Sequence, residues 1–298
     1  MMADSFSSLT LAVMQGRVGA VEELVNEGAE VNSRDESGFT PIERAISENN
    51  TGMVRALAEL GADLKAVDSS GRTPACIAAQ NGYEATIRAL AELGVDLNTR
   101  SNKGFTAAYI AAQQGHDHLI RALADLGAGL NTPNNNGTTP AYIAARNGHE
   151  PSIRVLAELG ADLNTPNNSG ATPAYAAAQQ GHESSIRVLA ELGADLNTPN
   201  RNGATPAYIA AQQGHETTIR VLGELGADLD TPDNYNGATP AYAAAQHGRE
   251  SSIQVLGELG ADLDTPNRNG TTPAYIAAHN GHETTIRVLG ELGADLNK

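Results

Sequence analysis

The chain contains no tryptophan, and aromatic residues make up only 4% of it. A large core draws much of its buried area from Phe, Tyr and Trp, so 298 residues of this composition must instead pack small residues closely and often. The one cysteine, Cys76, excludes an intramolecular disulfide and points to an intracellular, cytoplasmic setting. No basic-then-apolar leader opens the sequence, and "LTLAVM" is far too short to span a bilayer, so membrane insertion is not expected. A cationic excess is missing too. The net charge of −16 argues against a general affinity for nucleic acid, because backbone binding needs a basic footprint. G-x-G-x-x-G, Walker and G-x-S-x-G motifs are all lacking, so neither enzymatic activity nor a cofactor is expected.

What the chain does have is repetition, the feature to look for first. A turn glycine falls at Gly38, Gly71, Gly104, Gly137, Gly170 and Gly203, always 33 residues apart; Gly237 follows after 34 and Gly270 after 33. A second series, from Gly28 and Gly61 through to Gly260 and Gly293, closes each unit. The spacing divides the chain into a degenerate N-terminal capping repeat over 1–34, then repeats at 35–67, 68–100, 101–133, 134–166, 167–199 and 200–232. Residues 233–266 carry one inserted residue. The last unit, 267–298, keeps the internal pattern with no polar rewrite of its outward face, which leaves end-to-end self-association open. Residues 167–199 and 200–232 differ at only seven of 33 positions, so the array is recently duplicated or regularised.

Each unit reads as two short helices. In 134–166, Thr139-Pro140 opens the first, with proline where its missing N–H costs nothing, and Asn147-Gly148 ends it. Glu150 sits in the first turn of the second, where its charge suits the helix dipole. Ile153, Val155, Leu156 and Leu159 give that helix an apolar stripe before Gly160 stops it. Helices this short are not stable alone. They must lean on identical neighbours, which makes a solenoid stabilised by nearest-neighbour interfaces.

"GTTPAYIAARNGH" followed by "IRVLAELGADLN" resembles the ankyrin repeat, and the resemblance covers about residues 5–298. It implies an all-α repeat solenoid of helix-turn-helix units joined by β-hairpin-like turns, curved, with a concave groove that takes a protein or peptide. One departure is systematic. The family's Leu-His pair after the Thr-Pro step is here Ala-Tyr, as in Ala141-Tyr142, so the customary Thr–His hydrogen bond needs a replacement, for which a tyrosine hydroxyl reaching a backbone group is the expectation.

The reactive-looking residues recur with the period. His116, His149, His182, His215 and His282 occupy equivalent loop positions, and packed helices stand about 8–10 Å apart. A zinc ion needs ligands about 2 Å from one point, so one histidine per repeat does not converge on a metal; a loop hydrogen bond between repeats is the expected role. Cys76 replaces the residue that is Tyr109, Tyr142, Tyr175, Tyr208, Tyr242 and Tyr275 elsewhere, and reads as a packed residue rather than an activated thiolate. Glutamates begin and end most second helices, and many of the closing ones follow an arginine four residues earlier, as Glu158 follows Arg154.

Positions that vary between repeats are released from stacking. They gather at the turn before the Thr-Pro step and at the end of the first helix, which the family resemblance places along the groove. Candidate partner-binding residues at the turns are Phe39, Arg72, Lys103, Phe105, Asn135, Arg201, Tyr235 and Arg268. At first-helix ends they are Gln80, Asn81, Gln113, Gln114, Arg146 and His247. Phe39 and Phe105 are assigned an exposed slot after the turn glycine, and the inserted residue in "TPDNYNG" is expected to push Tyr235 outward. Arginine and aromatic residues are frequent interface hot spots. The divergent units at 35–133 are where specificity is expected. The function expected is a non-enzymatic protein-interaction scaffold; the alternative is a structural spacer or spring, suggested by the near-identity of the later repeats.

Overall fold

The computed structural model describes the backbone of residues 2–297 and side chains from Ser8 to Asn297, so the start of the expected capping repeat and Lys298 fall outside the side-chain description. Among the described residues there are eighteen α-helices and no strand, an all-α repeat solenoid. The chain divides into two compact units, residues 1–140 and 141–298.

In the first unit, Met2–Met14 precedes Val18–Asn26, Pro41–Ser47 precedes Thr51–Glu59, Pro74–Gln80 precedes Glu84–Glu92, and Ala107–Gln114 precedes Asp117–Asp125. In the second, a helix running from Pro140 to Arg146 is followed by Glu150–Glu158, and Pro173–Gln180 by Glu183–Glu191. Pro206–Gln213 with Glu216–Glu224, Pro240–Gln246 with Glu250–Glu258, and Pro273–His279 with Glu283–Glu291 complete it.

The first helices begin where a threonine oxygen can accept an otherwise orphaned N–H. Thr73, Thr172, Thr205, Thr239 and Thr272 each accept from the backbone N–H three residues on, with proline next in sequence. Such a cap stabilises by about 1 kcal/mol. Small residues then allow close approach: Ala174, Ala176, Ala177 and Ala178 are all 1% exposed or less. The second helices bury Ile153, Leu156, Ile186, Leu189, Ile219, Leu222, Ile253 and Leu256 completely. Leu159, expected on the same stripe, is 37% exposed because it stands at the helix C-cap.

The side chains at the end of the second helices pair differently from the expectation. Arg55 pairs with Glu92, Arg154 with Glu191 at 2.7 Å, Arg187 with Glu224 at 2.9 Å and Arg220 with Glu258 at 2.7 Å, each reaching into the next repeat rather than to the residue four positions on. The adjacent helix brings a carboxylate within reach without bending the arginine back against its own dipole-disfavoured order. Arg88 instead turns back to Glu84 of its own helix at 2.8 Å, and Arg287, in the last pair, turns to its own Glu291 at 4.0 Å. Exposed pairs of this kind are screened by solvent and add little to stability.

The exit turns carry a second ladder. Asn164 Oδ1 accepts the N–H of Asp195, Asn197 Oδ1 that of Asp228, Asp230 Oδ1 that of Asp262 and Asp264 Oδ1 that of Asp295, all at 2.8 Å. Amide and carboxylate do the same job here, but at different electrostatic cost. Burial, with Asp228 and Asp262 close by, holds the Asp230 carboxyl above the usual carboxylate range. Asp162 and Asp195 are held below it, first by the hydroxyls of Thr165 and Thr198 and then by backbone N–H groups. The signs therefore oppose. The depressed pair adds stability above the ordinary carboxylate range, lost as pH falls through the folded-state values, whereas Asp230 subtracts stability once pH rises past its raised value. Asp230→Asn should raise the melting temperature at pH 7, and the gain should shrink towards zero below the carboxylate range. Calorimetry at pH 7 and pH 3 checks it; a gain independent of pH would contradict the assignment.

Candidate functional site

The recurrent residues are occupied by stacking. His116 Nε2 bonds Gln80 O at 3.2 Å, His215 bonds Gln179 O at 3.1 Å and His282 bonds Gln246 O at 3.1 Å, each in the preceding repeat. A carbonyl can only accept, so each imidazole carries its proton on Nε2. Where the series is broken, Arg249 Nε makes the equivalent bond to Gln212 O at 3.2 Å. A guanidinium, which neither ligates metal readily nor acts as a base, replaces the imidazole without altering the contact. The ring also packs flat against a glycine: a Cβ at Gly181 would stand 2.8 Å from His215 Nδ1. His116 and His118 lie with ring centroids 6.2 Å apart.

Tyr109, Tyr175, Tyr208 and Tyr242 lie under the next turn, as a stacking series should, and their hydroxyls meet side chains where a backbone group was the expectation. Asn134 donates to Tyr109 Oη at 3.3 Å and Asn200 to Tyr175 Oη at 3.2 Å. Tyr208 donates to Asp233 at 3.4 Å, and Tyr242 shares a proton with Thr271 at 3.3 Å. A phenol projects far enough past its own helix to reach the residue that shapes the following turn, which is why side chains take the bond. Burial, reinforced by the Asp233 charge, pushes the Tyr208 phenol far above its usual range. Burial likewise raises the Cys76 thiol, which is 1% exposed. Both groups are held protonated, the opposite of a poised nucleophile.

The variable residues of the first unit are engaged by neighbours within that unit. Phe39 is half-buried, not exposed, because the Arg44 guanidinium lies 4.3 Å over its ring while bonded to Asp35 at 2.7 Å. Phe105 is half-buried too, stacked on Tyr109 at 4.8 Å and 9°. The slot after the turn glycine is thus a shelf against the first helix, and whatever stands there is covered by that helix. Arg72 occupies the same shelf, paired with Asp68 at 2.6 Å and hydrogen-bonded to Gln80. Asn81 donates to Ile77 O at 3.0 Å. The Lys103 carbonyl accepts the N–H of Asn135, whose side chain bridges Asn102 O and Arg100. Gln113 is half-buried, and Gln80, Asn81, Lys103, Gln114 and Asn135 are exposed.

In the second unit the shelf holds buried alanine at Ala171, Ala204 and Ala238 and half-buried Thr271 in the last repeat, and the surrounding side chains stand clear. Tyr235 is 86% exposed on its longer turn, as the insertion implied. Arg146, Arg201, His247 and Arg268 are exposed. Arg268 donates through Nη1 to Asn234 O at 2.8 Å. Burial, then Arg249 and His282, holds the His247 imidazole below its usual range. The turns follow one another as a row, Arg201 N–H bonding Ser169 O, Asn234 N–H bonding Asn202 O and Arg268 N–H bonding Asn236 O.

Two features lay outside the sequence reading. Tyr275 is 52% exposed where its counterparts are 3–8% exposed. A shallow groove of about 340 Å³ lies between second helices, lined by Glu216, Arg220, Glu250, Gln254 and Val288 among others. Its sequence signal was the break in the arginine series at Gln254.

Among the described residues no helix is long and apolar enough to cross a membrane. The model of the family described as ankyrin repeats, in three copies, matches residues 9–101, 94–167, 160–233 and 225–298. Among solved structures, the human ASB11 ankyrin repeat domain is similar at 26% identity and a TM-score of 0.66, over 75% of this chain and 99% of that one. No curated protein matches the chain.

Proposed function

This chain belongs to the ankyrin-repeat family, whose members generally serve as protein-interaction modules, and from that premise we propose that it is a non-enzymatic scaffold. It holds a protein or peptide along the face formed by the turns and the first-helix ends. The observation that carries this reading is the division of labour along the repeat: His and Tyr positions that recur are engaged by the neighbouring repeat and the recurring Thr residues cap their own helices, whereas Tyr235, Arg146 and Arg201 vary and stand exposed. Exposed aromatic and arginine side chains on a preformed surface are the usual anchors of binding. The half-covered Phe39 and Phe105 contribute an apolar edge in the first unit. The near-identity of 167–199 and 200–232 favours the spacer reading as the second possibility.

A photo-crosslinking residue placed at Tyr235, with Arg187 on a second helix as control, tests this. A discrete protein captured from Tyr235 and not from Arg187 is the expected result. Capture of nothing at either position is what a spacer would give. End-to-end self-association belongs to the same proposal; a chain that sediments as a strict monomer at high concentration would remove it.

A further inference from the structure

The chain's charge is −16, yet its carboxylates are not spread evenly. In residues 141–298 the turns (166–171, 199–204, 232–238, 266–271) and the first helices contain a single carboxylate, Asp233. That one is 9% exposed and committed to Tyr208 and to the N–H groups of Asn236 and Ala238. The acidic side chains lie instead on the second helices, from Glu150 to Glu291, and in the exit turns at Asp162, Asp195, Asp228, Asp230, Asp262, Asp264 and Asp295.

The exposed polar and aromatic side chains left on the turn and first-helix face are amides, Ser169, Tyr235, Tyr275, the imidazoles of His247 and His279, and arginines. Among the described residues no carboxylate pairs with Arg146 or Arg201, and Arg268 spends one nitrogen on carbonyl oxygens. By contrast Arg154, Arg187 and Arg220, on the second helices, are each neutralised by a glutamate. A strongly acidic unit therefore presents one face with no exposed carboxylate and with cations that lack counter-charges.

We infer that this face of residues 141–298 docks an extended acidic protein segment, its carboxylates meeting Arg146, Arg201 and Arg268, its main chain meeting the amides, and Tyr235 packing against it. The inference rests on the groove reading above and adds the chemical class of the partner. The spacing sets a register. Repeats advance by about 8–10 Å, and an extended chain by about 3.3 Å per residue, so carboxylates every third residue match successive repeats. Arg201 and Arg268 stand two repeats apart and match acids about six residues apart. Isolated cations at this spacing, among amides, suit single carboxylates better than the dense charge of a phosphate backbone.

Fluorescence anisotropy of the full chain with labelled peptides tests it. The probes are repeating Glu-Gly-Ser, Gln-Gly-Ser and Lys-Gly-Ser peptides of about eighteen residues, long enough to span several repeats, and oligothymidylate. The Glu-Gly-Ser peptide should bind in preference to the other three, more weakly as salt is raised. Affinity should fall about tenfold in Arg146→Ala/Arg201→Ala/Arg268→Ala, as expected from removing several exposed charge pairs. Arg146→Ala/Arg201→Ala, which spares the hydrogen-bonded Arg268, should show part of the loss. Arg187→Ala/Arg220→Ala should show none. Equal binding by the triple variant would overturn the placement, and preference for oligothymidylate or for Lys-Gly-Ser would overturn the class. Equal binding of Gln-Gly-Ser and Glu-Gly-Ser, both lost in Tyr235→Ser, would leave the groove reading standing and sink the acidic one. Binding of no probe would also sink it, while the crosslinking experiment still judges the groove.

Discussion

Gly203→Ala should destabilise the second unit by several kcal/mol, whereas Gly193→Ala should cost only about 1–2 kcal/mol. The two glycines share a backbone conformation, φ +84° and +81°, so each substitution incurs the same left-handed strain, about 1–2 kcal/mol. Their surroundings differ. Nothing lies within 4 Å of a Cβ at Gly193, but one at Gly203 would stand 2.3 Å from the backbone nitrogen of Asn234. Relieving that clash means pushing the next turn away. The 2.7 Å bond from Asn234 N–H to Asn202 O would break, adding about 1 kcal/mol to an overpacking term of about 1–3 kcal/mol. Denaturant midpoints compare the two variants, and hydrogen exchange at the Asn234 amide locates the damage. Equal effects would mean that the turns do not depend on close contact.

The second large effect has the opposite sign. Ser185→Ala, Thr218→Val and Ser252→Ala together should stabilise the protein by about 3 kcal/mol. The three side chains are 0–1% exposed, and their hydroxyls have no hydrogen-bond partner. A buried unpaired hydroxyl costs about 1–3 kcal/mol, and sites in successive repeats should act almost additively. The position accepts apolar side chains, since Met53 and Leu119 fill it in other repeats at 0% exposure. Thr86 supplies the contrast. Its hydroxyl donates to Asn49 Oδ1 at 2.8 Å, and Asn49 is the one non-glycine residue with positive φ among the described residues. Thr86→Val strands that amide oxygen and should destabilise. Melting temperatures moving in the same direction for Thr86→Val and Thr218→Val would contradict the account.

These cases show where the sequence was readable. The period, the Thr-Pro caps, the loop histidines, the packed Cys76 and the outward Tyr235 follow from local pattern, because each depends on residues a few positions away or on an identical neighbour. The arginine partners, the tyrosine partners and the cover over Phe39 and Phe105 did not follow. Arg154 has a glutamate both at Glu158 and, one helix across, at Glu191, and spacing alone cannot rank the two. Phe39 lies in a slot that looks like a turn tip along the chain but sits beneath Arg44 in space. The charge segregation of residues 141–298 was present in the sequence from the start. It became a face only when the turns and first-helix ends were seen as one surface.

The claim that recurring residues stack while varying residues bind is tested most directly by one paired measurement. The full chain, His116→Ala/His215→Ala/His282→Ala and Arg146→Ala/Arg201→Ala/Arg268→Ala are compared for melting temperature and for affinity towards the Glu-Gly-Ser peptide. The histidine variant should melt lower and keep its affinity while folded, and the arginine variant should melt normally and lose affinity. A histidine variant that melted normally but no longer bound would contradict the account.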